Sequence, residues 1–233
     1  MTIDDGYRVS RAWSALKKAE GQQVIGHKIG LTSRAMQISS QISEPDFGTL
    51  FDEMLYESGQ PIPRERFIKP RVEVELAFIL GSPLGGATTS IADVLRATEF
   101  VVPALEIIDA RIEQFDSVSG KPRTVIDTIS DNAANAGIVL GGPVRPDGME
   151  LGRIGSVLYL NGIPEESGLA AAVLGHPANG IAWLARRLAK FGEQLEPGQI
   201  VLSGSFTRPV AIERGDTIHA DYGSLGAVTF QLS

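Results

Sequence analysis

Apolar and polar positions alternate most cleanly at Arg71–Leu80. Val72, Val74, Leu76, Phe78 and Leu80 fall on one side of an extended chain, and Arg71, Glu73, Glu75, Ala77 and Ile79 on the other. The spacing predicts a strand with one wholly apolar face. Phe100–Ile108 is an apolar run interrupted by a single charge, Glu106, and predicts a buried strand. Val24–Leu31, punctuated by Gly26 and Gly30, predicts a third. Helical spacing governs two long segments. Between Asp4 and Gly21 the stripe is Val9, Trp13 and Leu16, with Arg8, Arg11, Lys17 and Lys18 on the wet face. Between Pro177 and Phe191 it is Ile181, Leu184, Ala185 and Leu188, with Arg186, Arg187 and Lys190 outward, His176 as N-cap and Gly192 as the stop. Ser90 caps a shorter helix, Ile91–Ala97, with Asp93 in the third position. Short strands follow the second long helix, at Gln199–Ser203, Val210–Ile212, Thr217–Asp221 and Ala227–Leu232. Ser39–Gly48, with Glu44-Pro45-Asp46 as its turn, and Ser117–Arg123 read as loops. Few helices and many irregularly spaced strands predict an α+β fold around a curled mixed sheet, not alternating βαβ units.

Composition narrows the partners. The 233 residues are 43% apolar, enough for one core, and carry a net charge of −7, which argues against nucleic acid or an anionic membrane surface. No apolar stretch approaches the roughly 18 residues of a membrane span. Residues 1–13 carry no basic segment followed by an apolar one, so no secretion signal is expected. The absence of cysteine removes disulfides, thiolate nucleophiles and cysteine-held zinc, and fits a reducing cytoplasm.

The chemistry concentrates on acids. Glu73 and Glu75 share a strand face about 6.5 Å apart and repel unless something positive lies between them. A solvated face is the ordinary reading of such a pair, but this face continues into Ala77 and Ile79, which places it at the mouth of a pocket. Glu106, alone in its apolar run, is either protonated, salt-bridged or bound to a metal. Three carboxylates without nitrogen or sulfur ligands make a hard oxygen site suited to Mg²⁺ or Mn²⁺, able to chelate a 2-oxo carboxylate. Lys28, between Gly26 and Gly30, is either an edge-strand residue or an amine whose burial lowers its pKa toward general-base range. His27 points to the opposite face. Asp46 is either a turn aspartate or a proton-transfer group on a loop over the site. Ser205 and Thr207, in Ser203–Pro209, offer a carboxylate cradle or a structural turn. His176 is expected as a cap and His219 as a strand residue without chemistry.

These segments together resemble the hydratase/decarboxylase family of meta-cleavage pathways for aromatic compounds, which has the fumarylacetoacetate hydrolase-like fold. The likeness runs through Gly26–Ser33, Glu44–Gly48, Pro70–Phe78, Pro103–Asp109, Asp127–Ala133 and Gly204–Pro209. It implies that Glu73, Glu75 and Glu106 hold Mg²⁺ or Mn²⁺, that Lys28 and Asp46 transfer protons, and that the chain forms homo-oligomers, with a pathway aldolase as a further candidate partner. It implies one catalytic domain over residues 1–233, with residues 1–21 the tail of a longer N-terminal helical segment in the family. The implied reaction is hydration of a 2-oxo-alkenoic acid such as 2-oxohept-4-ene-1,7-dioate to a 4-hydroxy-2-oxo acid. The alternatives are hydration of 2-hydroxypenta-2,4-dienoate, decarboxylation of a 2-oxo-enedioate of the 4-oxalocrotonate type, hydrolytic C–C cleavage of an acylpyruvate, and a non-catalytic partner role. For a dioate, Arg34, Arg71, Lys121 and Arg123 are candidates for the distal carboxylate.

Overall fold

The computed structural model describes residues 1–233. Helix α1 (Ile3–Ala19) begins at Thr2, whose hydroxyl accepts from the Asp5 N–H while the Asp5 carboxylate accepts from the Thr2 N–H, a closed capping box. Strand β1 (Val24–Gly30), helix α2 (Arg34–Ser39), strands β2 (Asp46–Phe51), β3 (Leu55–Glu57) and β4 (Pro61–Ile62) follow, then the long β5 (Arg71–Leu80). Helix α3 (Ile91–Ala97) leads into β6 (Thr98–Ile108), and α4 (Val125–Ser130) into β7 (Asn135–Leu140). The chain closes with β8 (Gly155–Leu160), β9 (Ile163–Leu169), α5 (Pro177–Ala189), β10 (Ile200–Leu202), β11 (Val210–Ala211), β12 (Thr217–Asp221) and β13 (Ala227–Leu232). No helix is long and apolar enough to cross a membrane.

The strands form two sheets. The larger is curled and mixed, in the order β2-β1-β10-β5-β6-β7-β3, with β11 also pairing β5; the smaller is β4-β13-β12-β8-β9. Its faces differ as period-2 patterning requires. Val72, Val74, Leu76, Phe78 and Leu80 of β5 enter a core of 38 buried residues that continues through α5 and into the smaller sheet at Ile218, Val228, Phe230 and Leu232. The opposite face carries only a seven-residue apolar cluster, including Ala77, Val102, Ala104, Ile138 and Leu202, and this becomes the floor of the polar site. Tyr222, after β12, ties the sheets together: its buried hydroxyl lies 3.1 Å from the Glu75 carbonyl and 2.5 Å from that of Ala104.

Much of the pattern reading holds. The strand at 71–80, the helix capped by Ser90 and Asp93, the His176 cap (whose Nδ1 accepts from the Ala178 N–H at 3.2 Å) and the last two strands all lie where spacing put them. The first helix buries a different face from the one expected. Gly6, Tyr7, Ser10 and Ser14 face inward, Val9 and Leu16 are exposed, and Trp13 is half-buried with its edge on Phe51. Close approach of α1 to α4 selects small residues, and Tyr7 goes in because its ring stacks on Phe47 at 4.6 Å. Arg187, expected outward, is nine-tenths buried, lying over the Tyr7 ring at 5.1 Å and pairing with Asp4 and Glu44. Asp46, expected on a loop, is the first residue of β2.

Tyr222→Phe keeps the ring packing and removes the buried hydroxyl that lies against the Glu75 and Ala104 carbonyls. It is expected to destabilise the fold by about 1–2 kcal/mol, measured by urea unfolding with an unchanged m-value.

Candidate active site

Strand register assembles the site. In the antiparallel β5–β6 pair, Glu73 stands opposite Glu106 and Glu75 opposite Ala104. Like charges directly opposed are unfavourable in a sheet, yet here the three carboxylates converge, with one oxygen from each within 4.8 Å of the others. Glu75 and Glu106 are fully buried and Glu73 is half-buried. On β1, Lys28 faces the same concavity, and its buried Nζ lies 3.2 Å from Glu106 Oε1. Asp46 joins through the β1–β2 pair, opposite Gly30. Glycine is needed there, because a Cβ would lie 2.3 Å from Asp46 Oδ1 and 3.4 Å from Lys28 Nζ. Both proton-bearing groups therefore open onto the same notch.

The hydrogen bonds hold each buried ligand candidate by one oxygen and leave the other bare. Glu75 Oε2 accepts from the Gly204 N–H at 2.8 Å, and Glu106 Oε1 accepts from Asn135 Nδ2 at 2.8 Å. Glu75 Oε1, Glu106 Oε2 and Asp46 Oδ1 are buried without a partner. Buried polar atoms are normally satisfied, so orphaned oxygens on two of three converging carboxylates, with a third on Asp46, mark a place for a cation. An all-oxygen donor set fits Mg²⁺ or Mn²⁺.

Electrostatics tells the same story. Four acids face one ammonium. Burial, followed by repulsion from Glu106, pushes Glu73 and Glu75 well above the ordinary carboxylate range, only partly offset by Lys28. Burial raises Asp46 to about 6, with Lys28 opposing. Lys28 departs from the sequence expectation. Desolvation acts to lower its pKa, but Glu106, Asp46, Glu73 and Glu75 outweigh it and hold the amine above its usual value.

The remaining expected residues separate. Arg71 is exposed at the start of β5, on the same strand face as Glu73 and Glu75, with Nη2 donating to the Pro209 carbonyl at 2.9 Å. The hydroxyls of Ser205 and Thr207 are spent on stitching their loop to β5: Ser205 Oγ lies 2.9 Å from the Thr207 carbonyl, and Thr207 Oγ1 accepts from the Val74 N–H. His27 sits on the opposite face beside Phe47, and burial lowers its pKa to about 4. His219 packs on Tyr159 in the smaller sheet. Arg34 is exposed on α2 and Lys121 is exposed in the loop after β6, where Arg123 Nη1 donates to the Ile112 carbonyl. The backbone of the Ser203–Pro209 segment does cradle a carboxylate, through the Gly204 N–H, but that carboxylate is Glu75. Pattern reading missed Asn135, which lies in no periodic segment and falls just beyond the motif at Asp127–Ala133.

The chain is similar to known proteins along nearly its whole length. The chain is 57% identical over 230 residues to the 2-oxo-hept-4-ene-1,7-dioate hydratase of Escherichia coli, covering 98% of this chain and 86% of that protein. It is 37% identical over 229 residues to the 2-keto-4-pentenoate hydratase of Paraburkholderia xenovorans, covering 98% and 83% respectively. The fold superimposes with a TM-score of 0.95 and 32% identity on the 4-oxalocrotonate decarboxylase of Pseudomonas putida G7 complexed with magnesium and adipate, covering all of this chain and 87% of that one. Residues 19–233 match the fumarylacetoacetate (FAA) hydrolase C-terminal family along nearly the whole chain, including every strand of both sheets, and the chain belongs to that family.

Proposed function

We propose that residues 1–233 work as one catalytic domain that hydrates a 2-oxo-alkenoic acid, 2-oxohept-4-ene-1,7-dioate, to a 4-hydroxy-2-oxo acid, with Glu73, Glu75 and Glu106 holding Mg²⁺ or Mn²⁺. The observation that carries this reading is the convergence of three carboxylates, two of them with bare buried oxygens, beside Lys28 and Asp46. The E. coli relative's hydratase name supports the substrate. A bound divalent cation supplies Lewis-acid polarisation of the 2-oxo group and accommodates the negative charge that develops there.

The protein's own groups do the rest. Asp46 takes a proton from C3 and the Lys28 ammonium delivers one to C5, which moves the double bond into conjugation with the 2-ketone. The proton on Asp46 then restores Lys28. Water then adds across C3 and C4, its oxygen bonding to C4 and the proton it gives up going to C3, so that no net proton is gained or lost. The Gly204 N–H and Asn135 amide hold Glu75 and Glu106 in place throughout. Arg71, on the Glu73 face but outside the buried floor, receives the distal carboxylate, and the Ser203–Pro209 loop walls that end of the substrate. A second reading is decarboxylation of a 2-oxo-enedioate, favoured by the close fit to the P. putida decarboxylase. The two reactions differ in product.

The purified chain, offered 2-oxo-dienoates with Mg²⁺ and again with EDTA, is expected to give the 4-hydroxy-2-oxo acid without CO₂ only when metal is present. CO₂ release without hydroxylated product selects the decarboxylase. Lys28→Met and Asp46→Asn should each lower kcat by roughly 10²–10⁴-fold, and activity near wild type in either removes that residue from proton transfer. Arg71→Ala should raise KM for the dioate about tenfold while leaving the five-carbon monoacid nearly unaffected, as expected for one lost charge-assisted contact. Metal should also stabilise the fold: Mg²⁺ at 100 times its Kd adds about 2.7 kcal/mol, read as a rise in thermal midpoint that Glu73→Gln or Glu106→Gln abolishes.

A further inference from the structure

Between α4 and β7 the backbone does something unusual. Asn132, Ala133 and Ala134 have φ of 53, 51 and 57°, three consecutive non-glycine residues in the left-handed region. Asparagine tolerates that conformation; alanine has no side chain to compensate it. Such strain persists only where the surroundings over-determine it, and it concentrates at functional sites. One end of this turn reaches the strand that carries Asp46, and the other reaches Glu106. On one side, Asn132 clasps β2, its Oδ1 accepting from the Thr49 N–H at 2.7 Å and its Nδ2 donating to the Thr49 carbonyl at 2.9 Å. Gly48 lets the turn approach this closely, since a Cβ there would lie 2.4 Å from the Asn132 carbonyl oxygen. On the other side, Asn135, fully buried, donates to Glu106 Oε1.

Arg111 grips the turn from outside. Its backbone N–H donates to Asp131 Oδ2 at 2.8 Å, Nε to Asp131 Oδ1 at 2.6 Å and Nη2 to the Asp131 carbonyl at 2.7 Å, while Nη1 donates to the Asn135 carbonyl at 2.8 Å. One guanidinium therefore spans residues 131 and 135, the two flanks of the strained segment. A planar fork can do this and an ammonium cannot.

We propose that Asn135 is a positioning residue that turns Glu106 toward a divalent cation, and that Arg111 holds it there by clamping both flanks of the Asn132–Ala134 turn. The donors divide the Glu106 carboxylate. Asn135 Nδ2 and Lys28 Nζ both occupy Oε1, which leaves the buried Oε2 without a partner in a carboxylate that converges with Glu73 and Glu75. The Asn135 amide presents its nitrogen to the carboxylate, and its own buried oxygen has no partner. Without that bond Glu106 is free to rotate and to share both oxygens with Lys28. The proposal rests on the reading of Glu106 as a ligand, and Arg111 acts at a distance, outside the cavity.

Mn²⁺ titration by calorimetry of the metal-stripped full chain separates the possibilities, with circular dichroism as the check of folding. Asn135→Ala should bind Mn²⁺ about 10–100-fold more weakly, the range typical of a ligand's hydrogen-bond partner. Arg111→Ala should weaken binding in the same direction, and Arg111→Lys should fail to restore it. Folded Asn135→Ala and Arg111→Ala proteins that bind Mn²⁺ within twofold of wild type overturn the proposal. If Asn135→Ala does not fold, Arg111→Ala, made at a partly exposed side chain, carries the test alone. Glu106→Gln is the control for the underlying reading: wild-type affinity there shows that Glu106 is no ligand, and the proposal falls with it.

Discussion

Burying more negative charge than the protein can neutralise is the constraint on which this site is built. Glu75 and Glu106 are fully removed from water, Asp46 nearly so, and Glu73 closes the group, against the single ammonium of Lys28. An unpaired buried ion costs several kcal/mol even after relaxation. The sheet concentrates the problem by setting Glu73 across from Glu106 on neighbouring strands. One backbone N–H, one amide and one ammonium offset part of it, and the orphaned oxygens on Glu75 and Glu106 define what is missing. A divalent cation supplies the missing charge and the missing partners together.

The two faces of the large sheet divide the work. One is apolar throughout and packs into the main core with α5 and the smaller sheet, where burial of large side chains supplies the stability. The other keeps small residues near the carboxylates, with Ala77 and Ala104 on the strands and Gly30 in the notch, so that polar atoms approach without steric obstruction. Its apolar floor of Val102, Ile138 and Leu202 excludes water, and burial raises the pKa values of Glu73, Glu75 and Asp46. Tyr222 links the arrangements from the side, holding backbone carbonyls of β5 and β6 where those strands present Glu75 and Ala104.

What the sequence revealed followed the range of the forces involved. Period-2 alternation set Glu73 and Glu75 on one face of β5, and local side-chain-to-backbone bonding set the Ser90 and His176 caps, because these are decided within a few residues. Glu106 stood out as a lone charge in an apolar run and was grouped with Glu73 and Glu75 on chemistry, but its place opposite Glu73 is a register between segments 33 residues apart that no local pattern supplies. The face of α1 was misread for a similar reason. Hydrophobicity favoured Val9, Trp13 and Leu16, whereas the packing partner α4 comes close at Gly6 and the buried face is the one that carries Gly6, Tyr7, Ser10 and Ser14. Lys28 shows a third kind of limit. Its burial was foreseeable, but the sign of its pKa shift depends on four carboxyl groups from β2, β5 and β6. Local reasoning counts the desolvation and misses the neighbours.

The Asn132–Ala134 turn explains why part of the site lay outside any motif. Left-handed conformation costs roughly 1–2 kcal/mol per non-glycine residue, so no local preference selects two alanines there. Charge-assisted hydrogen bonds contribute about 1.5–3 kcal/mol each, and the three from the Arg111 guanidinium are of the right size to hold such a turn. The strain and its compensation are thus separated by some twenty residues of sequence and meet only in the folded chain. The geometry of Glu106 is in this sense kept by a guanidinium that touches neither the carboxylates nor the cavity they line. Residues of that kind carry no signature of chemistry, and they become visible only when each buried donor and acceptor around the acids is traced to its partner.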